Sequence, residues 1–270
     1  MANVRKFYDF SYLCNVETVT NNICKSVASL DERKHRRREG AFKAEGSKCV
    51  LDTLGHFSLR ALYAIQEWLD EHPDIARLPQ AVTAGRGDLR KMSSLTTPGQ
   101  VIAVYDIPER TFSPAETSGS LMLALDTIQD PGNLGTIIRV ADWFGVRTIL
   151  ASRNTVDAFN PKVVQATMGA LARVEVHYVD LADTIAKAAA TGTPICGTLL
   201  DGENIYRSQL PAAGIVVMGN EGNGLSQQVR ALLTHRLLIP PYPASDADGV
   251  ESLNVAMATG IVLSEFRRRL

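Results

Sequence analysis

One segment of the 270-residue chain, 126–139, combines turn-forming residues with an isolated arginine. Asp130-Pro-Gly-Asn133 has the composition of a tight turn, and the apolar helical stretch that follows carries Arg139. We expect Asn133 to cap this helix. A cation on an apolar helix needs a carboxylate partner or an anion to bind. Arg139 lies about 9 Å along the helix axis from Asn133, so its side chain can reach back towards the helix N-terminus. The sequence leaves two roles open for Arg139: a surface salt bridge with a carboxylate, or the binding of an anion.

A second segment, Met218–Ser226, places three glycines within six residues after an apolar run. Glycines at this density allow tight turns and let a ligand approach the backbone closely. The segment lacks the G-x-G-x-x-G pattern of dinucleotide sites and the Lys-Ser/Thr pair of a P-loop. Glu221 lies among the glycines, and its charge disfavours a pyrophosphate there. The pattern predicts a site in which backbone N–H and C=O groups hold a neutral or cationic ligand, with Ser226 capping the next helix.

A third segment, 239–254, contains three prolines and a glycine and leads into the last helix. Ser252 and Asn254 stand at the start of that helix, where each is either a simple cap or a functional group. Small residues recur every four positions along the helix, at Ala256, Gly260 and Ser264. This spacing puts them on one face and allows a second helix to approach closely, either within the chain or from another subunit.

The three segments follow apolar runs in a pattern of alternating strands and helices. Short buried strands are predicted at 121–125, 148–151, 174–179, 195–199, 215–218 and 237–239. Helices are predicted at 134–144, 161–171, 181–190, 226–234 and 252–268. This alternation predicts an α/β fold with a mainly parallel sheet flanked by helices. Ligands in such folds bind beyond the carboxyl ends of the strands, so the site is expected in the loops that follow them.

The first part of the chain predicts a smaller α/β domain. Helical patterns dominate 16–70, with an apolar stripe over Val16–Leu30. Further along, strands are predicted at 80–84 and 101–105, and a helix between them at 88–96. The polar stretch 108–120 contains two prolines, a glycine, three serines and two threonines, as interdomain linkers do. We therefore expect two domains, 1–115 and 116–270.

The charge of the chain is nearly balanced but unevenly distributed. Lys and Arg number 28 and Asp and Glu 29, and the net charge of −1 argues against a protein that coats nucleic acid. Residues 1–115 carry a net +2, and 116–270 a net −3. The basic excess continues at Lys43 and Lys48, but it is concentrated in one run: Arg33, Lys34, His35, Arg36, Arg37 and Arg38. This run is either a solvated helix face or a patch that contacts phosphates.

Composition also disfavours several classes of protein. No apolar run reaches the roughly 18 residues of a membrane-spanning helix, and Met1–Cys14 lacks the apolar core of a secretory signal. The four cysteines form no C-x-x-C pair, and the five histidines show no metal-binding spacing. We therefore expect a cytoplasmic protein with reduced thiols and no metal.

Taken together, the three segments resemble the sequence motifs of the SpoU/TrmH branch of the SPOUT RNA methyltransferases. The matching stretches are Asp130-Pro-Gly-Asn-Leu-Gly-Thr-Ile-Ile-Arg139, Gly219-Asn-Glu-Gly-Asn-Gly-Leu-Ser226, and Ile239-Pro through Ser252-Leu-Asn-Val255. Upstream, 29–36, 40–46 and 95–104 resemble the L30e-like substrate-binding domain of rRNA-directed members. The resemblance implies a C-terminal trefoil knot, which general topology rules disfavour, and a homodimer formed through the catalytic domain. The stretch 241–250 is longer than is common in the family.

The resemblance further implies roles for individual residues. S-adenosyl-L-methionine would be held by Thr198, Leu199, Met218, Gly219, Asn220, Glu221, Gly224, Ile239, Ser252 and Leu253. The implied catalytic residues are Arg139, Asn133, Glu221, Ser252 and Asn254. Arg139 is either an unusual base or the group that holds the target phosphate, and the second role is favoured because an arginine side chain stays protonated in proteins. From the charge pattern, the expected RNA contacts are Arg33, Lys34, Arg36, Arg37 and Arg38.

The implied reaction is methyl transfer from S-adenosylmethionine to a ribose 2′-hydroxyl. It needs the hydroxyl oxygen, the methyl carbon and the sulfur in line, and a route for the hydroxyl proton. Large-subunit (23S) rRNA is the expected substrate, because tRNA-directed members usually lack the upstream domain. The target nucleotide must be splayed out so that its 2′-hydroxyl can enter the pocket. Two alternatives stay open: a tRNA 2′-O-methyltransferase, and a non-catalytic RNA-binding or ribosome-assembly protein on the same scaffold.

Overall fold

The computed structural model describes residues 19–113, 119–242 and 252–268. They form two compact units. The first contains the described chain up to Pro108 together with Phe159–Gln165, and the second contains Glu109–Ala158 and the chain from Ala166 onwards. Some sequence expectations fall outside the described residues, namely those for 1–14, for 16–18, for 114–118 of the linker and for most of 241–250.

The first unit is built on a four-stranded mixed sheet. Its strands are β1 (Ala41–Glu45), β2 (Leu59–Ala64), β3 (Ala81–Thr83) and β4 (Val101–Asp106). They lie in the order β1-β4-β2-β3, with β4 antiparallel to both neighbours and β2 parallel to β3. The helices described in this unit are α1 (Asn21–Ser29), α2 (Arg33–Glu39), α3 (Ser47–Thr53), α4 (Gln66–Glu71), α5 (Pro73–Ala76) and α6 (Arg86–Met92).

The strands β1 and β2 contradict the helical pattern predicted over 16–70. The sequence of β2, Leu-Arg-Ala-Leu-Tyr-Ala, is rich in residues that favour helices, and β1 carries two charges that suggest a solvated surface. Pairing with β4 overrides these local preferences. The strands predicted at 80–84 and 101–105 are confirmed as β3 and β4, and the helix predicted at 88–96 starts and ends earlier, as α6.

Lys43 of β1 is a buried cation inside the first unit. Its Nζ lies 2.9 Å from Asp31 Oδ1 and 3.2 Å from Glu45 Oε1. Glu45 also accepts hydrogen bonds from the hydroxyls of Ser93 and Ser94. Burial raises the pKa of Glu45, but Lys43 and the serines lower it by more, so the net pKa is below its ordinary value. Lys43 therefore holds the unit together and is not exposed to a ligand.

The second unit is built around a six-stranded sheet. Its strands are β5 (Leu121–Leu125), β6 (Thr148–Ser152), β7 (Glu175–Val179), β8 (Ile195–Asn204), β9 (Gly214–Met218) and β10 (His235–Leu238). All neighbours run parallel, in the order β10-β8-β9-β5-β6-β7. The α-helices described after β5 along the chain are α7 (Pro131–Trp143), α8 (Pro161–Thr167), α9 (Leu181–Ala190), α10 (Gln227–Arg230) and α11 (Val255–Arg268). Most of α8 belongs to the first unit. The predicted α/β fold with a parallel sheet flanked by helices is confirmed.

Two helices are shorter than their sequence patterns predict. The helix predicted at 161–171 ends at Thr167, because Met168 and Gly169 have φ values of 49° and 86°. The helix predicted at 226–234 is limited to α10. Hydrophobic spacing alone does not reveal where either helix ends.

The strand order of the second sheet reverses between β9 and β5. From β5 the chain proceeds outwards through β6 to β7, whereas β9, β8 and β10 lie on the other side of β5. The loop after β5 and the loop after β9 (219–226, the glycine loop) therefore leave the same edge side by side. In open α/β sheets, ligands bind in the crevice between two such loops, where the strand order reverses.

The last helix packs on α7 of the same chain. A Cβ on Gly260 would lie 4.0 Å from Val140 Cγ1, and Arg267 Nε donates to the carbonyl oxygen of Phe144 at 2.7 Å. Gly260 thus serves helix packing within the chain. In the three described ranges, no helix has the length and hydropathy to span a bilayer.

Candidate functional site

Asn133 joins the three polar segments through its side-chain amide. Its Nδ2 donates to Glu221 Oε1 at 2.5 Å, and its Oδ1 accepts from Asn254 Nδ2 at 2.9 Å. The three residues come from the first turn of α7, the glycine loop and the segment before α11. The fold therefore brings together three of the five side chains that were expected to be catalytic.

The cap of α7 differs from the prediction. Asp130 caps the helix, because its Oδ1 accepts from the backbone N of Asn133 at 2.8 Å. The predicted cap at Asn133 is wrong, since Pro131 is already the first helical residue and moves the cap position forward. This shift leaves the Asn133 side chain available for Glu221.

The other two predicted caps have opposite outcomes. Asn254 Oδ1 accepts from the backbone N of Ala256 at 3.0 Å and of Met257 at 3.3 Å, which confirms it as the cap of α11. Ser226 occupies the N-cap position of α10 as predicted, but its side chain makes no hydrogen bond to the helix, so the predicted side-chain cap is wrong. Instead, its backbone N donates to Asp126 Oδ2 at 2.8 Å and attaches the end of the glycine loop to the end of β5.

The glycine loop is closed on itself. Asn220 and Gly224 exchange two backbone hydrogen bonds, of 3.0 and 2.9 Å. Asn220 Oδ1 also accepts from the backbone N of Gly222 and Asn223. A Cβ on Gly219 would lie 2.5 Å from the carbonyl carbon of Gly224, so a side chain does not fit there. Asn220 therefore shapes the loop, and its own backbone amide is already occupied.

A bulge in β8 lies next to this loop. The ladder between β8 and β10 skips residues 198–202. Thr198 and Leu199 lie in the bulge and are half-buried. Thr198 Oγ1 is 3.9 Å from Met218 Sδ at the end of β9. Three of the residues predicted to contact a cofactor thus come from the β8 bulge and from the end of the adjacent strand β9.

The remaining predicted residues are more exposed. Arg139 lies on the exposed side of α7 and forms no hydrogen bond or ion pair with another described residue. The surface salt bridge considered for it is therefore not observed in the described part of the chain. Ser252 and Leu253 are exposed, and Ile239 is half-buried. The structure does not join Arg139 or Ser252 to the Asn133 amide by a hydrogen bond.

The chemistry available here is that of amides, the carboxylates of Glu221 and Asp126, and the unpaired cation of Arg139. No group of three or more His, Cys, Asp or Glu residues in the described ranges could hold a metal ion. Burial raises the pKa of the Cys196 thiol in β8 to about 12, so it stays protonated at neutral pH. Such a site can orient a polar substrate and bind an anion through Arg139.

Two further residues, Asp126 and Thr127, belong to this site without belonging to a recognisable sequence motif. Asp126 and Thr127 directly follow β5, and Asp126 is only 5% exposed. Both contact the glycine loop. Their position at the end of a predicted strand was the signal that could have identified them, since loops at that edge were expected to form the site.

The second unit matches a known family over most of its length. The profile of the SpoU rRNA Methylase family matches residues 120–264. The chain belongs to this family. A second profile, that of the MRM3-like substrate binding domain, matches residues 21–103.

Relatives of this SpoU-family chain are similar to it over nearly their whole length. The 23S rRNA (guanosine-2′-O-)-methyltransferase RlmB of Neisseria meningitidis is 36% identical, across 100% of this chain and 97% of that protein. The solved structure of a TrmH-family protein from Porphyromonas gingivalis is 41% identical, covers 94% of this chain and 100% of its own, and has a TM-score of 0.83. The AdoMet-bound rRNA methyltransferase from Sinorhizobium meliloti is 31% identical, covers 95% and 98%, and has a TM-score of 0.80.

The basic run of this SpoU-family chain lies on α2, within the stretch that matches the substrate-binding profile. Four of its cations are exposed: Arg33, Lys34, Arg37 and Arg38. Arg36 is 1% exposed and donates from Nη1 to the carbonyl oxygens of Leu30 and Asp31, at 2.8 Å each. The expected RNA contact at Arg36 is therefore wrong. This guanidinium attaches α2 to the preceding turn.

The exposed cations of α2 fall into two pairs. Lys34 Nζ lies 2.7 Å from Glu32 Oε2, and Arg38 Nε donates to Glu39 Oε1 at 2.7 Å. Arg33 and Arg37, four residues apart on one helix face, have no partner among the described residues. Two like charges at this spacing repel each other unless an anion lies between them. Arg33 and Arg37 are thus the better candidates for a phosphate contact.

Proposed function

We propose that this protein transfers a methyl group from S-adenosylmethionine to a ribose 2′-hydroxyl of 23S rRNA. The observation that carries the proposal is the hydrogen-bonded set Asn133, Glu221 and Asn254, which unites the three loops at the reversal point of the parallel sheet. Membership of the SpoU rRNA methylase family supports it. The 23S rRNA ribose methyltransferase that is 36% identical across the whole chain supports the choice of substrate.

The residues present fit S-adenosylmethionine. The glycine loop lets a ligand reach its backbone, and Glu221 favours a cationic ligand, which matches the sulfonium group of this cofactor. When bound, the cofactor supplies an electrophilic methyl group. The residues that would hold it are Thr198, Leu199, Met218, Gly219, Asn220, Glu221, Gly224, Ile239, Ser252 and Leu253. Asn220 would act by shaping the loop, since its polar groups bond within it and to Thr127.

Arg139 positions the target nucleotide by binding its phosphate and ribose. Its guanidinium has no protein partner in the described chain, and an arginine side chain, which stays protonated in proteins, is a poor base. Asn133, Glu221, Ser252 and Asn254 orient the ribose, since none of them bonds to Arg139 in the described structure. With these roles, the hydrogen-bonding groups of the site place the ribose hydroxyl oxygen in line with the methyl carbon and the sulfur of the cofactor.

We assign 1–115 to an L30e-like RNA substrate-binding domain and 116–270 to a SPOUT catalytic domain. The substrate-binding profile over 21–103 and the SpoU profile over 120–264 support this division. We place the trefoil knot in the catalytic domain, formed by the segments that carry the glycine loop and the last loop. Sequence membership in the SpoU family supports the knot. RNA binding through Arg33, Lys34, Arg37 and Arg38 would present a splayed nucleotide to the site.

We also infer a homodimer formed through the catalytic domain, and a cytoplasmic location. Trp143 at the end of α7 is 85% exposed and Met257 on α11 is 64% exposed. Large apolar side chains on two helices that pack together are typical of a surface covered by a partner. A second copy of this chain is the proposed partner.

Incubation of the purified protein with labelled S-adenosylmethionine and 23S rRNA or tRNA tests the proposal. We expect label in 23S rRNA, recovered in alkali-resistant dinucleotides because a methylated 2′-oxygen cannot attack the adjacent phosphate. Label in tRNA alone would transfer the assignment to tRNA. No transfer to either RNA, together with no calorimetric binding of S-adenosylmethionine, would indicate a non-catalytic RNA-binding protein.

A further inference from the structure

Thr127, directly after β5, has a backbone conformation that residues with side chains rarely adopt. Its φ is 64°, and Met168 is the other described non-glycine residue with a positive φ. For a β-branched residue this conformation is strained. Strain of this kind persists only where surrounding contacts hold it, and it is concentrated at functional sites.

Three hydrogen bonds hold Thr127 in place. Its backbone N donates to Ser152 Oγ at 2.9 Å, at the end of β6. Its carbonyl oxygen accepts from Asn220 Nδ2 at 2.9 Å. Its hydroxyl donates to Asp126 Oδ1 at 3.2 Å. The strained residue is therefore tied to the ends of three neighbouring strands, β5, β6 and β9.

Asp126 holds the two ends of the glycine loop. Its backbone N donates to the carbonyl oxygen of Met218, just before the loop, at 2.9 Å. Its Oδ2 accepts from the backbone N of Ser226, the last residue of the loop, at 2.8 Å. Thr127 adds a third attachment at Asn220, the residue that closes the loop on itself.

We propose that Asp126 and Thr127 are positioning residues for the cofactor, which act by fixing the glycine loop through Asn220 and Ser226. The inference rests on the proposed function, because it takes the glycine loop to be a cofactor loop. The left-handed backbone at Thr127 directs its carbonyl to Asn220. A loop that already has its bound shape loses less conformational entropy when the ligand arrives, so affinity increases.

Asn220→Asp separates this role from the general integrity of the loop. The variant keeps the oxygen that accepts from Gly222 and Asn223, but it loses the Nδ2 donor to Thr127 and places a carboxylate against that carbonyl. Asn223→Asp is the matched control, because it adds the same charge at an exposed position of the same loop.

Calorimetric titration with S-adenosylmethionine provides the readout, starting with the unmodified protein. We expect the Kd to rise at least tenfold for Asn220→Asp and to stay within threefold for Asn223→Asp. In steady-state methylation, the KM for S-adenosylmethionine should rise in Asn220→Asp while the KM for RNA is unchanged, which a general loss of folded protein would not produce. Equal affinities of Asn220→Asp and the unmodified protein would overturn the proposal. An unmodified protein that does not bind the cofactor would instead overturn the proposed function.

Discussion

The amide of Asn133 and the carboxylate of Glu221 form a hydrogen bond of 2.5 Å between residues 88 positions apart in the chain. Because the acceptor is ionised, this contact is stronger than a bond between neutral groups. Asn254 donates to the other end of the same amide. Only one orientation of the Asn133 amide satisfies both neighbours, since one needs a donor and the other an acceptor. The three loops are therefore fixed relative to one another through a single side chain.

Replacing Asn133 by alanine should lower kcat/KM for RNA methylation by roughly 10- to 100-fold. The loss of a hydrogen bond to a charged group costs about 1.5–3 kcal/mol, and each 1.4 kcal/mol corresponds to about a factor of ten in rate. Initial rates with 23S rRNA measure the effect. Gln129→Ala, at an exposed position of the same loop, should stay within about twofold of the unmodified rate. A similar loss in both variants would remove the specific role given to Asn133.

Arg139→Ala should reduce methyl transfer at least 100-fold, which is in the range of losses seen when a hydrogen-bond donor to the transition state is removed. The Kd for S-adenosylmethionine should stay within about twofold of the unmodified value. Arg139 is exposed and has no partner in the described chain, so its removal breaks no contact that holds the fold. Single-turnover rates and calorimetry give the two quantities. Thr136→Ala, also exposed on α7, is the control for changes to the helix. Near-normal turnover in Arg139→Ala would show that the unpaired guanidinium has another task.

The unpaired cations of α2 should dominate its contact with RNA. Each phosphate contact contributes about 0.7–0.9 to the slope of log K against log salt concentration. Arg33→Ala/Arg37→Ala, which removes two such contacts, should therefore lower the magnitude of that slope by roughly 1.4–1.8. Lys34→Ala/Arg38→Ala removes the same formal charge but takes away cations that already pair with Glu32 and Glu39. Filter binding at several salt concentrations compares the two double variants, and equal slopes would mean that pairing on α2 does not select the RNA contacts.

Glu45 makes the stability of the first unit sensitive to acid. Its pKa in the folded protein lies below its ordinary value of 4.5, so the stabilisation it provides is complete above that value. It is lost as the pH falls through the folded pKa. The unmodified protein should lose stability below about pH 5, and Glu45→Gln should show a smaller loss over the same range.

At pH 7, Glu45→Gln should lower the free energy of unfolding by about 3 kcal/mol, the lower end of the range for breaking a buried ion pair, because Asp31 still faces Lys43. Urea unfolding followed by the fluorescence of the buried Trp68, with Trp143 replaced by Phe, reports on this unit alone. The double variant Lys43→Met/Glu45→Leu should be less destabilised than the single one. If the free energy of unfolding falls below pH 5 as much in Glu45→Gln as in the unmodified protein, other carboxylates cause the acid sensitivity.

The second unit was more predictable from sequence than the first. Apolar runs such as 121–125 and 215–218 are buried on both faces, so hydrophobicity alone places β5 and β9 within one residue. In β1, by contrast, Lys43 and Glu45 neutralise each other in the interior. In the sequence, a buried ion pair cannot be distinguished from charges on a solvated surface. The burial of Lys43 becomes evident only from the residues that surround it in the folded protein.

The side-chain network of the site was only partly predictable. The loops that carry Asn133, Glu221 and Asn254 follow from strand positions and motif spacing. Which oxygen each amide meets depends on the cap shift to Asp130 and on the register between β5 and β9, and neither is encoded by spacing. Arg36 illustrates the same limit, because its burial is decided by the turn that precedes α2.

Substitution of the exposed apolar residues on α7 and α11 should dissociate the proposed homodimer. Covering an exposed tryptophan with a second subunit stabilises the dimer, since an aromatic side chain buries about 150–250 Å² of surface. Trp143→Arg and Met257→Arg place a charge in a surface that must lose water on association, which is costly without a partner charge. Sedimentation velocity should show a dimer for the unmodified protein and a monomer for either variant. The control Tyr206→Arg changes a 44% exposed side chain elsewhere in the same unit and should remain dimeric. If all the variants are dimers, the interface lies elsewhere. If the unmodified protein is a monomer, there is no homodimer.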